Sequence, residues 1–302
     1  MKSMGNMLLS KDETSEIVIG NTALVRAMIE AGTRVVTSYP GSPMPETAEA
    51  IRSISKEQRP FYFEFSTNEK VATEIAFGAS VNGHLSTAFF KSVGLNVAAD
   101  SFVQLPLMKL RGGMVVVIGD DPGANSSQNE QDNRHYAHLS YMPVFEPSNP
   151  QEVYEYYKEA AKLSQEKEMP VILRLSTHVC HAKQKVNFSS YEQQEFDSKP
   201  RFSSENENYV PITSKVFPMK RRALKRIKDF KSYSNNSDLN QIIDNGNKDK
   251  GIITMGVPYL SLRDVMEDMD NKPDVLKLGV IYPLPEDVIK EFLKEHKEVK
   301  VL

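Results

Sequence analysis

Residues 114–118 read MVVVI, an unbroken apolar run that passes directly into the polar stretch 119–134. A half-buried strand alternates apolar and polar positions, whereas a continuous run of this kind fits a strand covered on both faces, as in a parallel sheet. The flanking sequence agrees. Residues 21–31 (NTALVRAMIEA) set Ala23, Leu24, Ala27, Met28 and Ala31 on one helical face, with Asn21 at the N-cap and Gly32 as the stop. Strand patterns at 34–38, 61–65, 85–90, 142–145 and 170–176 alternate with helical patterns from Pro45, over 71–81, after Asn96 and over 150–167. Strands separated by helices imply an α/β fold of βαβ units, a mainly parallel sheet covered by helices. Ligands of such sheets gather at the loops that follow the strands, here 39–43, 66–69, 91–96 and 119–134.

Downstream the character changes. Residues 183–248 are rich in Ser, Asn, Gln, Lys and Glu and read as a polar connector with one basic helix at 219–231. A second α/β pattern begins at Gly251, with strand GIITMG, helix 260–269, strand VLKLGVI, helix 285–296 and a last strand from Val299. The expected division is therefore 15–182, 183–248 and 249–302. The last unit has few strands and an apolar edge, so it reads as partial, completed by further chain or by a partner.

Charge and cysteine content exclude several functions. A net charge of -3 gives no general attraction to nucleic acid or anionic lipid. The basic run at 220–231 has little aromatic interleaving, so no nucleic-acid partner is expected. No apolar stretch reaches the roughly 18 residues of a membrane helix, so no membrane contact and a cytoplasmic location are expected. The single cysteine, Cys180, precludes an intramolecular disulfide and an iron–sulfur cluster held by this chain alone. His178, Cys180 and His181 crowd one strand end, but without a second ligand group they do not close a tetrahedral zinc site. No metal is assigned to the chain.

Glu69 is the sharpest chemical candidate. It falls at a strand-to-helix junction, ahead of a helix of small apolar residues. Carboxyls withdrawn from water in this way serve as proton donors or acceptors near neutral pH. A first-turn glutamate also suits the helix dipole without any chemistry, and the pattern alone leaves both readings open. Glu74, five residues later, lies on another face of the helix. Gly94-Leu95-Asn96 opens a helix after a strand, where backbone N–H groups either receive an anion or form an ordinary turn. Gly41-Ser42, framed by Pro40 and Pro43, predicts a rigid turn. In the stretch 119–134, Arg134 has the planar fork that suits a carboxylate, with His135 as a lesser candidate. A solvated loop is the plain alternative, but so long a polar segment after an apolar strand more often has a function.

Four stretches in order carry a resemblance: Ser38-Tyr39-Pro40-Gly41-Ser42-Pro43; Ser66-Thr67-Asn68-Glu69-Lys70-Val71-Ala72 with Gly78-Ala79-Ser80; Lys91-Ser92-Val93-Gly94-Leu95-Asn96; and Asp120-Asp121-Pro122-Gly123 followed by SSQNEQDNR at 126–134. Together they resemble the pyrimidine-binding domain of thiamine-diphosphate enzymes. More narrowly, they are similar to alpha chains of the 2-oxoacid:ferredoxin oxidoreductase family, in particular its indolepyruvate branch. The resemblance covers residues 15–182 closely and 251–302 loosely. It implies a thiamine-diphosphate-binding fold followed by a partial transketolase-C-terminal-like domain.

The implied activity is oxidative decarboxylation of indolepyruvate or other aryl pyruvates to acyl-CoA, with electrons passed to ferredoxin. Pyruvate, 2-oxoglutarate or branched-chain 2-oxoacids are alternative substrates, and a non-catalytic scaffold that kept the fold is the alternative of another class. The resemblance puts Glu69 at the family's activating glutamate, which hydrogen-bonds the pyrimidine ring nitrogen of thiamine diphosphate. It puts Pro40, Gly94, Leu95 and Asn96 against the cofactor. Ser42 falls where related enzymes use a hydroxyl to hold the substrate carboxylate, with Gly41-Ser42 leaving room for an aryl group. Gly41, Arg134 and His135 are also expected on the substrate, Arg134 for the fit of its guanidinium to the carboxylate. Asp120-Asp121 with Asn149 downstream imitates the Mg–diphosphate motif of the other half-site. The second glycine is absent and Pro150 follows Asn149, so that reading is rejected. The half-site that holds Mg2+ and the cysteines for [4Fe-4S] clusters are therefore missing from these 302 residues. The resemblance implies a truncated chain, inactive alone, that needs a diphosphate-binding domain or chain, a gamma-type (beta) subunit, coenzyme A and ferredoxin.

Overall fold

The computed structural model describes residues 3–193, 199, 201–203 and 209–302. Residues 194–198, 200 and 204–208 of the polar connector lie outside the described residues. The chain opens with α1 (Met4–Leu8), β1 (Thr14–Ile19) and α2 (Gly20–Glu30). Strand–helix units follow: β2 (Val35–Ser38) with α3 (Pro45–Arg52), β3 (Tyr62–Phe65) with α4 (Glu69–Val81), β4 (Ser86–Lys91) with α5 (Gly94–Phe102), and β5 (Met114–Asp120) with α6 (Arg134–Ser140). Next come β6 (Val144–Phe145), α7 (Pro150–Lys167), β7 (Pro170–Ser176), α8 (Thr177–His181) and β8 (Lys183–Phe188). Beyond the connector stand α9 (Thr213–Asn236), β9 (Gln241–Ile243), β10 (Lys250–Met255), α10 (Gly256–Glu267), β11 (Asp274–Leu278), β12 (Val280–Tyr282), α11 (Glu286–Glu295) and β13 (Glu298–Val301).

The main sheet runs β12-β6-β7-β5-β4-β2-β3, and its pairs are parallel except β12 with β6. The apolar run of β5 lies near its centre with every residue buried. Val115 and Val117 enter a core shared with α2, α3 and α7, while Met114, Val116 and Ile118 enter a second core with α4 and α5. Each such side chain withdrawn from water contributes about 1.5–3 kcal/mol. This two-sided burial is the reason β5 is apolar throughout.

Helix ends follow local chemistry in most places. Gly32, at φ 74°, ends α2: its N–H donates to the Ile29 carbonyl (3.1 Å) and that of Thr33 to the Met28 carbonyl (3.0 Å), a Schellman stop. Asn68 caps α4, accepting from the Val71 N–H. Asn149 caps α7 ahead of Pro150, accepting from the Glu152 N–H, so its side chain serves a helix start.

Asn21 departs from its expected capping role. The helix begins one residue earlier, and the buried Asn21 amide donates to the Pro43 carbonyl (2.8 Å) and to Glu46 (3.1 Å) while accepting from Thr47 (3.0 Å). It ties α2 to the loop after β2.

The connector also carries more structure than its composition predicts. Its first residues form β8, antiparallel to β1 from Thr14↔Phe188 to Ile19↔Lys183. Its helix extends over Thr213–Asn236, and β9 joins a second sheet of order β13-β10-β11-β9. The run VLKLGVI, expected as one strand, divides at Gly279: β11 stays in the second sheet, whereas β12 extends the main one at β6. A Cβ at Gly279 would meet the Leu239 carbonyl and the Tyr156 hydroxyl, each at 2.6 Å, so only glycine lets the chain turn there. The two sheets are further joined by buried Lys277 of β11, which pairs with Glu152 of α7. Among the described residues no helix is long and apolar enough to cross a membrane.

Candidate functional site

The parallel strands deliver their following loops to one edge of the main sheet. There Glu69 occupies the first turn of α4 and is only 4% exposed. Among the described residues its carboxylate takes no hydrogen bond. It faces Gly94 instead: a Cβ at that position would lie 2.5 Å from Glu69 Oε1 and 2.9 Å from its Cγ. Glycine at the start of α5 is thus what permits the carboxyl to lie there. The Ser92 hydroxyl, two residues earlier, is buried and without a partner among the described residues. Glu74 is exposed and accepts from Ser101 at 2.6 Å, so it is a surface residue between α4 and α5.

The turn that opens α5 is used differently from the expectation of outward amide donors. The Leu95 N–H returns to the Ser92 carbonyl and that of Asn96 to the Val93 carbonyl, both at 3.2 Å. The Leu95 side chain is fully buried in the core, and the Asn96 amide is engaged with Gln131 (2.8 and 3.0 Å) and Tyr136 (2.9 Å). Gly94 contributes by its missing side chain, Asn96 by bracing the loop after β5. Pro40 is exposed on the neighbouring loop.

Gly41 does not open a space for an aryl group. A Cβ there would meet Lys91 Cδ at 2.7 Å and Cγ at 2.9 Å, because the aliphatic stem of Lys91 lies across it. The Lys91 ammonium donates to Gln128 Oε1 at 3.2 Å. Ser42 accepts from the Ser126 hydroxyl at 3.1 Å. The loop after β5 is thereby folded back over the loop after β2.

Buried carboxylates organise that loop. Asp120 accepts from Arg174 Nε at 2.7 Å and from Asn133, and Asn133 also donates to the Ser92 carbonyl (3.3 Å). Asp121 accepts from the N–H groups of Ser126 (2.7 Å) and Ser127 (3.0 Å), and from the Thr177 hydroxyl (3.0 Å). Burial pushes the Asp121 carboxyl up, but the Ser126 N–H, Thr177, Asn125 and Ser127 outweigh it and hold it from 3.8 down to about 2. The folded value lies below the unfolded one, so this stabilisation is complete above the ordinary value and vanishes as pH falls through the folded one. Asp121→Asn is expected to lower the urea midpoint at neutral pH. The gap from the parent should narrow between pH 3.8 and about 2, and a gap of constant width would sink the assignment.

Arg134 shares its guanidinium with a neighbour, while its Nη1 reaches Met255 Sδ at 3.6 Å. Its Nε and Nη2 hold Asp132 at 2.7–3.0 Å, a pairing two residues apart that the sequence carries in plain view. It opens α6, a helix absent from the sequence reading, followed by exposed His135. Arg134 also lines a cavity of about 400 Å³ with Glu146, Arg174, His178, Met255 and Val257. Neither Glu69 nor Ser42 lines it, so the candidate residues divide into two places along the edge. A larger groove, about 660 Å³, runs along the outer side of α7 past Tyr154 and Lys158, away from the strand ends. Cys180 is buried against Met44 Sδ (3.7 Å), while His181 turns to Glu46 (3.4 Å).

Lys91, Ser126 and Arg174 were given no role from the sequence, and Asp121 was weighed only as part of a metal motif and set aside. Lys91 did leave a signal: it closes a strand, STAFFK, whose other residues are all buried. Arg174 left one too, as a charge inside the apolar run PVILRLS.

The profile of the family described as "Pyruvate flavodoxin/ferredoxin oxidoreductase, thiamine diP-bdg" matches residues 26–246. The chain is 41% identical over 286 residues to the indolepyruvate oxidoreductase subunit IorA of Methanothermobacter marburgensis, covering 94% of this chain and 46% of that protein. It is 38% identical over 288 residues to the IorA subunit of Archaeoglobus fulgidus, with the same coverage of 94% and 46%. The chain thus spans about half the length of the relatives it matches. Among solved structures it superposes on a 2-oxoglutarate:ferredoxin oxidoreductase from Magnetococcus marinus, solved with 2-oxoglutarate, coenzyme A and succinyl-CoA bound. The TM-score is 0.78 at 17% identity, over 95% of this chain and 57% of the other. A split-gene transketolase superposes with TM-score 0.57 at 17% identity, over 94% and 79%. At these identities the two superpositions establish the fold.

Proposed function

Because this chain belongs to the pyruvate flavodoxin/ferredoxin oxidoreductase thiamine-diphosphate-binding family, we propose that it supplies the pyrimidine side of the cofactor site in a 2-oxoacid:ferredoxin oxidoreductase. The observation that carries the reading is the buried carboxyl of Glu69 against Gly94, with no hydrogen bond to another described residue. A carboxyl placed there, with no protein partner among the described residues, is suited to hydrogen-bond a ring nitrogen. The residues fit the cofactor: Glu69 would face the pyrimidine ring, Gly94 gives the close approach, and the orphaned Ser92 hydroxyl is a donor on the same turn. When bound, thiamine diphosphate supplies the electron sink for decarboxylation.

The reaction we assign is oxidation of an aryl pyruvate, indole-3-pyruvate foremost. The bond between the keto carbon and the carboxylate breaks and carbon dioxide leaves. A bond forms from the acyl carbon to the sulfur of coenzyme A, whose proton is released, and an electron pair passes singly to ferredoxin. In this reading residues 15–182 carry the pyrimidine half-site and 249–302 belong to a transketolase-C-terminal-like unit. The diphosphate with its Mg2+ is held by the missing half-site and the [4Fe-4S] clusters by the missing segment of the enzyme, and a gamma-type (beta) subunit completes the assembly. A cytoplasmic site fits these partners.

The expected result is ferredoxin reduction by the assembled enzyme, dependent on coenzyme A and fastest with indolepyruvate or phenylpyruvate. These 302 residues alone should give none. Faster turnover of pyruvate, 2-oxoglutarate or a branched-chain 2-oxoacid would reassign the substrate. Absence of turnover with any 2-oxoacid in the assembled enzyme would discard the reading.

A further inference from the structure

We infer that Lys91 is the cation that receives the carboxylate of the 2-oxoacid, with the Ser42 and Ser126 hydroxyls beside it. This rests on the oxidoreductase reading above and replaces Arg134 in the role expected for it.

A substrate carboxylate needs a cation that the protein has not already neutralised. Of the basic residues near the strand ends, Arg134 is held by Asp132, Arg174 lies between Asp120 and Glu146, and Lys70 pairs with Asp100 at 2.7 Å. Lys91 pairs with no carboxylate among the described residues. Its one acceptor among the described residues is the neutral Gln128 amide oxygen at 3.2 Å, which leaves ammonium protons to donate.

The ammonium is also placed. Gly41, with its Cβ position only 2.7 Å from Lys91 Cδ, gives the stem a track across the loop after β2. Gln128 holds the tip from the loop after β5. Beside it Ser126 donates to Ser42 at 3.1 Å, so the Ser42 hydroxyl proton remains available to an anion, and the chain of hydroxyls reinforces that donation. Asp121 fixes Ser126 from behind and spends its charge on amide and hydroxyl donors. Lys91 and Gly94 belong to one turn at the end of β4. The residue that would hold the carboxylate and the glycine that faces Glu69 are thus three positions apart on one turn.

Lys91→Met keeps the aliphatic stem on Gly41 and removes the charge. In the assembled enzyme its KM for indolepyruvate should rise about 10- to 100-fold, the worth of one hydrogen bond to a charged group. Calorimetric affinity for thiamine diphosphate should stay at the parent value, and Lys91→Arg should recover most of the KM. Lys91→Gln serves the same purpose if the methionine variant does not assemble. A KM within about twofold of the parent, or a loss of cofactor affinity with KM unchanged, overturns the assignment. The Glu69→Gln enzyme distinguishes the deeper failure: if it turns over normally, the oxidoreductase reading itself is wrong, whereas its inactivity beside a normal Lys91→Met overturns only the role of Lys91.

Discussion

Replacing Glu69 by glutamine is expected to slow turnover of the assembled enzyme by about a hundred- to ten-thousand-fold, the range for loss of one positioned acid–base group. The protein should remain folded. Glutamine matches glutamate in shape, so it fits the space beside Gly94, and the carboxylate makes no hydrogen bond to a described residue that the amide would lose. The helix start gives up only its favourable charge, worth about 0.3–1 kcal/mol. Exchange of the thiazolium C2 proton with solvent deuterium reports on the cofactor independently of substrate, and it should slow in parallel with turnover. A scaffold that merely kept the fold would show neither change. Turnover and exchange at parental rates would remove Glu69 from the chemistry, and with it the proposed function.

The main fold was legible where burial is two-sided or helical periodicity is strong. The run MVVVI specified a central strand, and NTALVRAMIEA specified a helix whose stop at Gly32 follows from its left-handed backbone. The missed strands β1 and β8 are largely exposed or half-buried, β8 is mostly polar, and each depends on a partner far along the chain. Their short sequences hold too little apolar surface to announce a strand by themselves. Gly279 was unreadable for a related reason: its need arises from Leu239 and Tyr156, which reach it only in the folded chain.

The site shows the same division. The buried place of Glu69 at a helix start was legible because a strand-to-helix junction before small residues is a local pattern. Its opposition to Gly94 was not, since that depends on two loops meeting. The pairing of Arg134 with Asp132 was overlooked although the two are only two residues apart, and the space at Gly41 was overstated because Lys91 occupies the room its missing side chain leaves. Donors and open spaces counted along a sequence overstate what a ligand finds, because the protein's own groups are the first to use them.

Arg174→Met is expected to cost about 3–5 kcal/mol of stability, the range for removing one partner from a buried ion pair. Arg174 is 6% exposed, Asp120 1% and Glu146 7%. Nε lies 2.7 Å from Asp120 and Nη1 2.8 Å from Glu146. Burial draws the guanidinium down, but the Glu146 and Asp120 carboxylates outweigh it, so its charge is firmly kept. Methionine fills similar volume, which isolates the electrostatic loss from a packing defect. Two buried carboxylates would then lose the cation they share, and Glu146 would keep only the longer pair with Arg134 Nη1 at 4.0 Å. Glu146 in turn abuts α10, where a Cβ at Gly256 would lie 2.7 Å from its Oε1. The loss should therefore appear at the joint between the sheets as well as in the loop that Asp120 and Asn133 hold to Ser92. Urea unfolding measures the first quantity, and faster amide exchange over 120–134 and 256–262 locates it. Adding Glu146→Gln should return part of the stability, since it removes one of the stranded charges. A loss below about 1 kcal/mol, the worth of an exposed pair, would mean that water reaches Arg174 and that the joint does not depend on it.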